Sequence, residues 1–331
     1  MSSNNIPRNG KIFVGVPAYD EPFLEATVED AYEKADDPAR VFFGIHNQKS
    51  APNKFEDLSR FKNVRVTNAV YPLPPGVSIS RLNASLLHED EEYYMQIDAH
   101  NFFVPGWDTT MRDDHDLLAR YVEKPVIATS QYWHELDAYE PGNTYRLSFY
   151  LFYEQNNHTV GRPFTVSGKG DVVHDDSRAS EPRFLGKFQE HYTMNASAGV
   201  FTSSSIIYDV SYEPFTMYLP EQELFALRAY TRGYRFFSSG TAVTSTLSKN
   251  LPNGDFQSDV FPTSLQAHAH SREHDSRQRW ASNLSFEYLR GERFGFAGAP
   301  NKELYEKYVK DSGIDFRRYK KIEPPGPEIV H

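Results

Sequence analysis

The chain of 331 residues contains no cysteine. That excludes disulfides and thiolate metal sites, so any metal must be held by oxygen and imidazole. Long hydrophobic runs are also missing. Nowhere do about 18 apolar residues follow one another, so no membrane-spanning helix is expected. The first ten residues are polar and lack the apolar stretch of a signal peptide. They read as a flexible N-terminus, and a cytoplasmic location is the expectation. Basic residues are in the minority, 35 Lys plus Arg against 45 Asp plus Glu, for a formal net charge of -10. This balance disfavours non-specific polyanion binding. Internal repeats and long low-complexity linkers are absent too.

The chain is rich in apolar residues (39%) and aromatics (15%), the composition of a globular protein with a sizeable core. Short apolar runs alternate with helical spacings. Lys11–Val16 reads as a strand, followed by a helix with apolar positions at Leu24, Val28, Ala31 and Ala35. Val41–Ile45 reads as a strand stopping at His46-Asn47-Gln48, and Val64–Val66 as a third. A helix over Ile79–Leu87 and a strand over Tyr93–Ile97 follow. This order implies an α/β fold built from βαβ units, with a mostly parallel central sheet flanked by helices. Such sheets bind ligands at the carboxyl ends of their strands, so the polar residues after strands one, two and four fall on one rim.

Val126–Ser130 reads as another strand of the same sheet. Residues 134–190 read as loop-like, with a strand pair near Tyr145–Tyr153. Ala198–Phe201, a helix over Glu221–Thr231 and a C-terminal helix near Lys302–Lys310 restore regularity. A single domain over 11–331 is expected, with loop insertions in its second half.

Chemistry concentrates at Asp98-Ala99-His100, directly after a buried strand. A carboxylate and an imidazole on one tight turn suit Mn2+ or Mg2+, a Lewis acid for phosphoryl oxygens. A bare Asp-x-His would equally be a turn cap beside an ordinary loop histidine. The surrounding residues decide between the two. Met95-Gln-Ile-Asp-Ala-His-Asn-Phe-Phe-Val-Pro-Gly-Trp-Asp108 resembles the metal-site signature of a family of polypeptide N-acetylglucosaminyltransferases with the GT-A fold. Val16-Pro-Ala-Tyr-Asp-Glu-Pro22, Gly44-Ile-His-Asn-Gln48, Gly76-Val-Ser-Ile-Ser-Arg81, Ala198-Gly-Val-Phe201, Tyr212-Glu-Pro214 and Arg228–Tyr234 resemble the family in the same order. Phe294-Gly-Phe-Ala-Gly298 and Ser312-Gly-Ile-Asp315 continue the resemblance.

The resemblance implies a retaining glycosyltransferase that moves GlcNAc from a UDP-sugar to a hydroxyl acceptor. Residues 11–130 would form the nucleotide-sugar half and 131–331 the acceptor half. Pro17, Ala18, Tyr19, Gln48, Arg81 and Asp98 would hold the donor, Tyr19 by stacking on the uracil ring. Asp98 and His100 would hold the metal. A late histidine of the family, aligned without gaps, falls on Thr246; an insertion of about twenty residues moves it to His268, with His270 as the alternative. Where the family has paired acidic residues, this chain has Glu221-Gln222. Glu221 is therefore the candidate catalytic residue, with Glu223 as a stand-in for the second carboxylate.

Competing readings are simpler. Arg81 would pair on the surface with the acidic run Glu89–Glu92. Trp107 and Asp108 would pack and cap, and Asp113, Asp114, His115 and Asp116 would form a solvated helix start. The acceptor would be a hydroxyl amino acid on a protein, or hydroxymethylated DNA met through Arg272–Arg279 or Arg317–Lys321. Outside this class stand a metal-dependent phosphoester hydrolase and an inactive nucleotide-sugar-binding module.

Overall fold

Strand β1 (Ile12–Tyr19) alternates its side chains between two apolar layers, so its sheet is covered on both faces. Ile12, Val14, Val16 and Ala18 enter one core cluster, and Phe13 enters another. The computed structural model describes residues 7–52, 55–72, 75–128, 130–134, 145–149, 162–166, 172–173, 184–185, 188–192, 199–216, 221–238, 242–247, 272–312 and 316–318.

After β1 come α1 (Leu24–Lys34), β2 (Val41–Lys49), β3 (Val64–Val70), α2 (Val77–Ser85) and β4 (Tyr93–Gln96). Next are β5 (Asn101–Phe103), α3 (Trp107–Ala119), β6 (Pro125–Ala128) and β7 (Ser130–His134). The middle of the chain supplies β8 (Tyr145–Phe149), β9 (Arg162–Val166), β10 (Val172–Val173), β11 (Phe184–Leu185) and β12 (Phe188–His191). Then follow β13 (Val200–Ser203), α4 (Ser205–Asp209), α5 (Glu221–Tyr230), β14 (Arg235–Ser238) and β15 (Ala242–Leu247). Helices α6 (Arg272–Leu289) and α7 (Lys302–Ser312) close the series.

The described strands form two sheets. The larger has nine strands in the order β11-β12-β14-β6-β13-β4-β1-β2-β3. All but β12 and β13 run the same way. The α/β reading with a mainly parallel central sheet therefore holds. The neighbours β4, β1, β2 and β3 are parallel, so their carboxyl ends share one rim. The smaller sheet has six strands, β10-β9-β8-β7-β15-β5. Asp98–His100 is the turn that leaves the first sheet after β4 and enters the second at β5.

Several expectations need correction. Strand β2 does not stop at His46. Its ladder to β3 runs on to Lys49 opposite Val70, so His46, Asn47 and Gln48 are buried strand residues. Val126–Ser130 is not one strand, because β6 belongs to the larger sheet and β7 to the smaller. The described residues of 134–190 lie in strands, and the pair begun at Tyr145 is completed by Arg162–Val166, beyond Tyr153. Asp113–Asp116 is not a solvated helix start. The four lie inside α3, which begins at Trp107, and Asp114 and His115 are buried on its inner side. Arg272–Arg279 opens α6, whose buried Ala281, Ser285 and Leu289 recur at a spacing of four.

Helix α2 lies very close to β2. A Cβ at Gly44 would sit 2.8 Å from the Ala84 carbonyl oxygen. Only a residue without a side chain permits that approach, which brings Arg81 down onto the sheet. Helix α1 performs a different service, acting as a template for residues 99–108. Thr27 Oγ1 donates to the Ala99 carbonyl at 3.0 Å, and Asp30 accepts from the Phe103 amide at 2.6 Å. Trp107, fully buried, donates its indole N–H to Ala31 at the far end of α1. Asp108 accepts the amides of Asp36 and Asp37 at 2.8 and 3.1 Å, so it caps the exit of α1 and not its own helix.

Candidate functional site

The parallel strands β1, β2 and β4 deliver Tyr19, Gln48 and Asp98 to one rim, as the strand period requires. Helix α2 runs back between β3 and β4, so its N-terminal turn lies on the same rim. The registers pair Tyr19 with Gln48, and Pro17 and Ala18 with His46 and Asn47. Tyr19 donates its hydroxyl to the Tyr71 carbonyl at 3.1 Å. His46 is buried and lies between Thr67 Oγ1 at 2.8 Å and Asn83 Nδ2 at 3.3 Å. The asparagine amide can only donate there, so His46 Nε2 accepts and Nδ1–H donates to Thr67. Burial holds the His46 pKa below its ordinary value.

Arg81 is 4% exposed and is not a surface partner of Glu89–Glu92; Arg65 takes Glu89 and Glu91 instead. One Arg81 nitrogen donates to both oxygens of Glu221, and the other meets Asp98 Oδ1 at 3.2 Å. The guanidinium also lies 5.9 Å from the centre of the Tyr212 ring. Burial works against its charge, but Glu221, Tyr212 and Asp98 outweigh this and hold its pKa above the ordinary range. Burial pushes the Glu221 carboxyl up, and Arg81 pulls it back. The Tyr212 hydroxyl donates to Gln96, the last residue of β4. Residues far apart in sequence thus converge: Arg81 from α2, Asp98 after β4, and Tyr212 and Glu221 from the second half.

Glu223 does not stand beside Glu221. Two residues on, at about 100° per residue, it turns to the other side of α5, where burial first and the charge of Glu223 second raise the pKa of Tyr308 in α7. Gln222 is half-buried between them.

His100 lies against Glu21, with Nδ1 3.0 Å from Oε2. Glu21 is 3% exposed and follows Asp20, a residue with φ of 45° that turns the chain at the end of β1. The Asp20 amide donates to the Gln48 carbonyl at 2.9 Å, and its carboxylate accepts from the Ser50 amide, which ties β1 to β2 at the rim. Glu21 lies within the Val16–Pro22 segment, and its place next to a strand end on this rim is the signal that marks it in the sequence.

As a metal-binding set, a carboxylate and an imidazole fit a divalent cation such as Mn2+. Among the described residues no three His, Asp or Glu side chains are arranged to hold one. His268 and His270 lie outside the described residues. Thr246 lies in β15 opposite Asn101, the residue after His100.

Several buried polar atoms at this rim have no hydrogen-bond partner: Gln48 Nε2, Asn47 Oδ1 and the hydroxyls of Ser78 and Ser80. Buried polar groups are nearly always satisfied; Asn47, whose amide reaches Glu56, and Gln48 alternate to opposite faces of β2, so of the two only Gln48 shares the α2 side with His46. A cavity of about 1100 Å³ lies on the opposite rim, lined by Gly10, Glu92, Arg112, Pro125 and Lys124 among others. Opposite charges interleave there, as in Lys124 with Asp209, so volume alone does not mark the site.

Among the described residues no helix is long and apolar enough to cross a membrane. Among solved structures, S. aureus TarS 1-349 in complex with UDP-GlcNAc aligns at 12% identity and a TM-score of 0.45, over 93% of this chain and 89% of that one. GalNAc-T7 with UDP, GalNAc and Mn2+ aligns at 11% identity and a TM-score of 0.49, over 93% of this chain and 55% of that one. Comparison with curated proteins finds no match. The profile of the glycosyltransferase (GlcNAc) family matches residues 53–281, more than half of the chain. The protein belongs to that family of glycosyltransferases.

Proposed function

We propose that the protein transfers GlcNAc from UDP-GlcNAc to a hydroxyl group with retention at the anomeric carbon, working as one GT-A-like domain over residues 11–331. The observation that carries this reading is the convergence of Asp98, Arg81 and Glu221 on one rim. Gln48 and the α2 hydroxyls offer hydrogen bonds to a nucleotide. Pro17 and Ala18 form the floor beside Tyr19, whose ring would stack on the base. Arg81 is a fixed positive charge facing the diphosphate, prepared before the ligand arrives.

Asp98 and His100 would hold a divalent cation, with His268 or His270 as the third ligand. That reading is supported by β15, which ends alongside the Asp98–His100 turn and leads into the segment carrying both histidines. The ion would supply Lewis-acid stabilisation of the departing UDP. Glu221, at the start of α5 and buried against Arg81, would position the sugar or the acceptor; the carboxylates around Arg81 keep the site receptive to a cation. The acceptor is read as a hydroxyl amino acid on a cytosolic protein, following the resemblance, and hydroxymethylated DNA is an outcome that an acceptor screen would reveal.

The test is UDP release across a panel of UDP-sugars with Mn2+, repeated with Asp98→Ala. UDP-GlcNAc is expected to give metal-dependent release that the variant loses. Release from no donor would end the transferase reading, and release of inorganic phosphate with no sugar acceptor would favour a hydrolase. Full turnover by Glu221→Gln would remove Glu221 from any essential role.

A further inference from the structure

His100 is not merely near Glu21; the two are locked together by their surroundings. Glu21 Oε2 faces His100 Nδ1 at 3.0 Å, and Oε1 lies 3.4 Å from the Phe23 amide at the entrance of α1. The N-terminal end of a helix favours a negative charge, and this carboxylate is almost wholly buried. On the other side, Thr27 holds the Ala99 carbonyl from the same helix. The imidazole therefore has a fixed backbone behind it and a fixed acceptor at one nitrogen. A carboxylate only accepts, so the contact is made by Nδ1–H, and of the two ring nitrogens Nε2 is the one whose chemistry suits a metal.

We infer that Glu21 is a positioning residue for the metal site: it selects the His100 tautomer whose Nε2 is the ligating nitrogen. Carboxylates placed behind metal-binding imidazoles have this effect generally, fixing the ring and raising its basicity. Asp20 contributes by geometry alone. Its left-handed backbone, tied to Gln48 and Ser50, turns the chain so that the next side chain points at the Asp98–His100 turn. The inference rests on the reading of His100 as a metal ligand, and the two fail differently.

The experiment measures Mn2+ affinity by calorimetry, without donor, for the native protein, Glu21→Gln, His100→Ala and the double variant. Alongside it, the 15N spectrum of the metal-free native protein is recorded, with His100 assigned by its loss in His100→Ala. The spectrum should show a protonated Nδ1 and an unprotonated Nε2; the opposite tautomer overturns the inference even if no Glu21 variant folds. His100→Ala should weaken Mn2+ binding. If it does not, the reading of His100 as a ligand fails and this inference falls with it. Given that loss, Glu21→Gln should bind Mn2+ about 10- to 100-fold more weakly, and native affinity in that variant overturns the inference alone. The double variant should be no weaker than His100→Ala, because Glu21 acts only through the imidazole. Additive losses would mean a general structural role and would also overturn it.

Discussion

Glu223 is 3% exposed in α5, and one of its carboxylate oxygens has no hydrogen-bond partner. Burial pushes its pKa from the ordinary 4.5 up to about 7, against a backbone hydrogen bond and with the nearby Glu221 charge adding to the rise. In the unfolded chain the same group ionises near 4.5. Between these values the folded protein keeps a proton that the unfolded chain releases. The stability owed to the protonated form is thus complete below 4.5 and is lost as pH rises through about 7. At about 1.4 kcal/mol per pH unit, the loss amounts to about 3 kcal/mol. Glu223→Gln keeps the size of the side chain and removes the ionisation. Urea unfolding of both proteins from about pH 5 to about pH 8 should show the variant gaining on the native protein by about that amount as pH rises. Every buried carboxyl that does not interact with Glu223 is common to the two and cancels in the difference, so that Glu221 alone adds a smaller change to it. A difference that stays flat across the range would refute the reasoning.

Three further outcomes follow from the packing. Arg228 is fully buried and serves Glu213 together with the carbonyls of Val210, Ser211 and Phe296; Arg228→Met leaves Glu213 uncompensated and should cost about 3–5 kcal/mol in urea unfolding. Gly44→Ala forces a methyl group against the Ala84 carbonyl and should cost about 1–3 kcal/mol, read as a lower melting temperature. Thr27→Val keeps the shape of the side chain but abandons the Ala99 carbonyl, for an expected loss of about 1–3 kcal/mol, measured by the same unfolding assay. Native stability in Arg228→Met or Thr27→Val would show that the contact removed contributes little, and in Gly44→Ala that the neighbours of Gly44 yield without cost.

The parts legible in the sequence were those governed by local periodicity. The short apolar runs Lys11–Val16 and Val41–Ile45, with helical spacing at Leu24, Val28 and Ala31, led to parallel strands and to the rim that carries Asp98. What stayed hidden depended on partners far along the chain. Glu21 and His100 are 79 residues apart, and no local pattern links an acidic residue before Pro22 to a turn after β4. The competing surface reading of Arg81 arose because a helix arginine near Glu89–Glu92 has an obvious local partner. The closeness of α2 to Gly44 was needed to bury it. Helix α6 was concealed by the charged run at its start, which outweighs the sparse apolar positions that follow. Asp113–Asp116 misled in the opposite direction, since composition alone does not show which side of α3 meets the sheet.

The bond between Arg81 and Glu221 closes a loop of 140 residues. Contacts of such long sequence separation are slow to form, because the entropy of closing the loop is spent before the contact returns anything. The candidate rim of the first half therefore cannot acquire its final charge pattern while the chain is still emerging or when it ends before α5. A shortened chain would keep Arg81 facing Asp98 without the carboxylate that balances it. Donor binding at this rim, as proposed above, would for this reason come late in the life of the polypeptide, and ligand affinity measured during refolding would report the arrival of α5 and not the formation of the sheet.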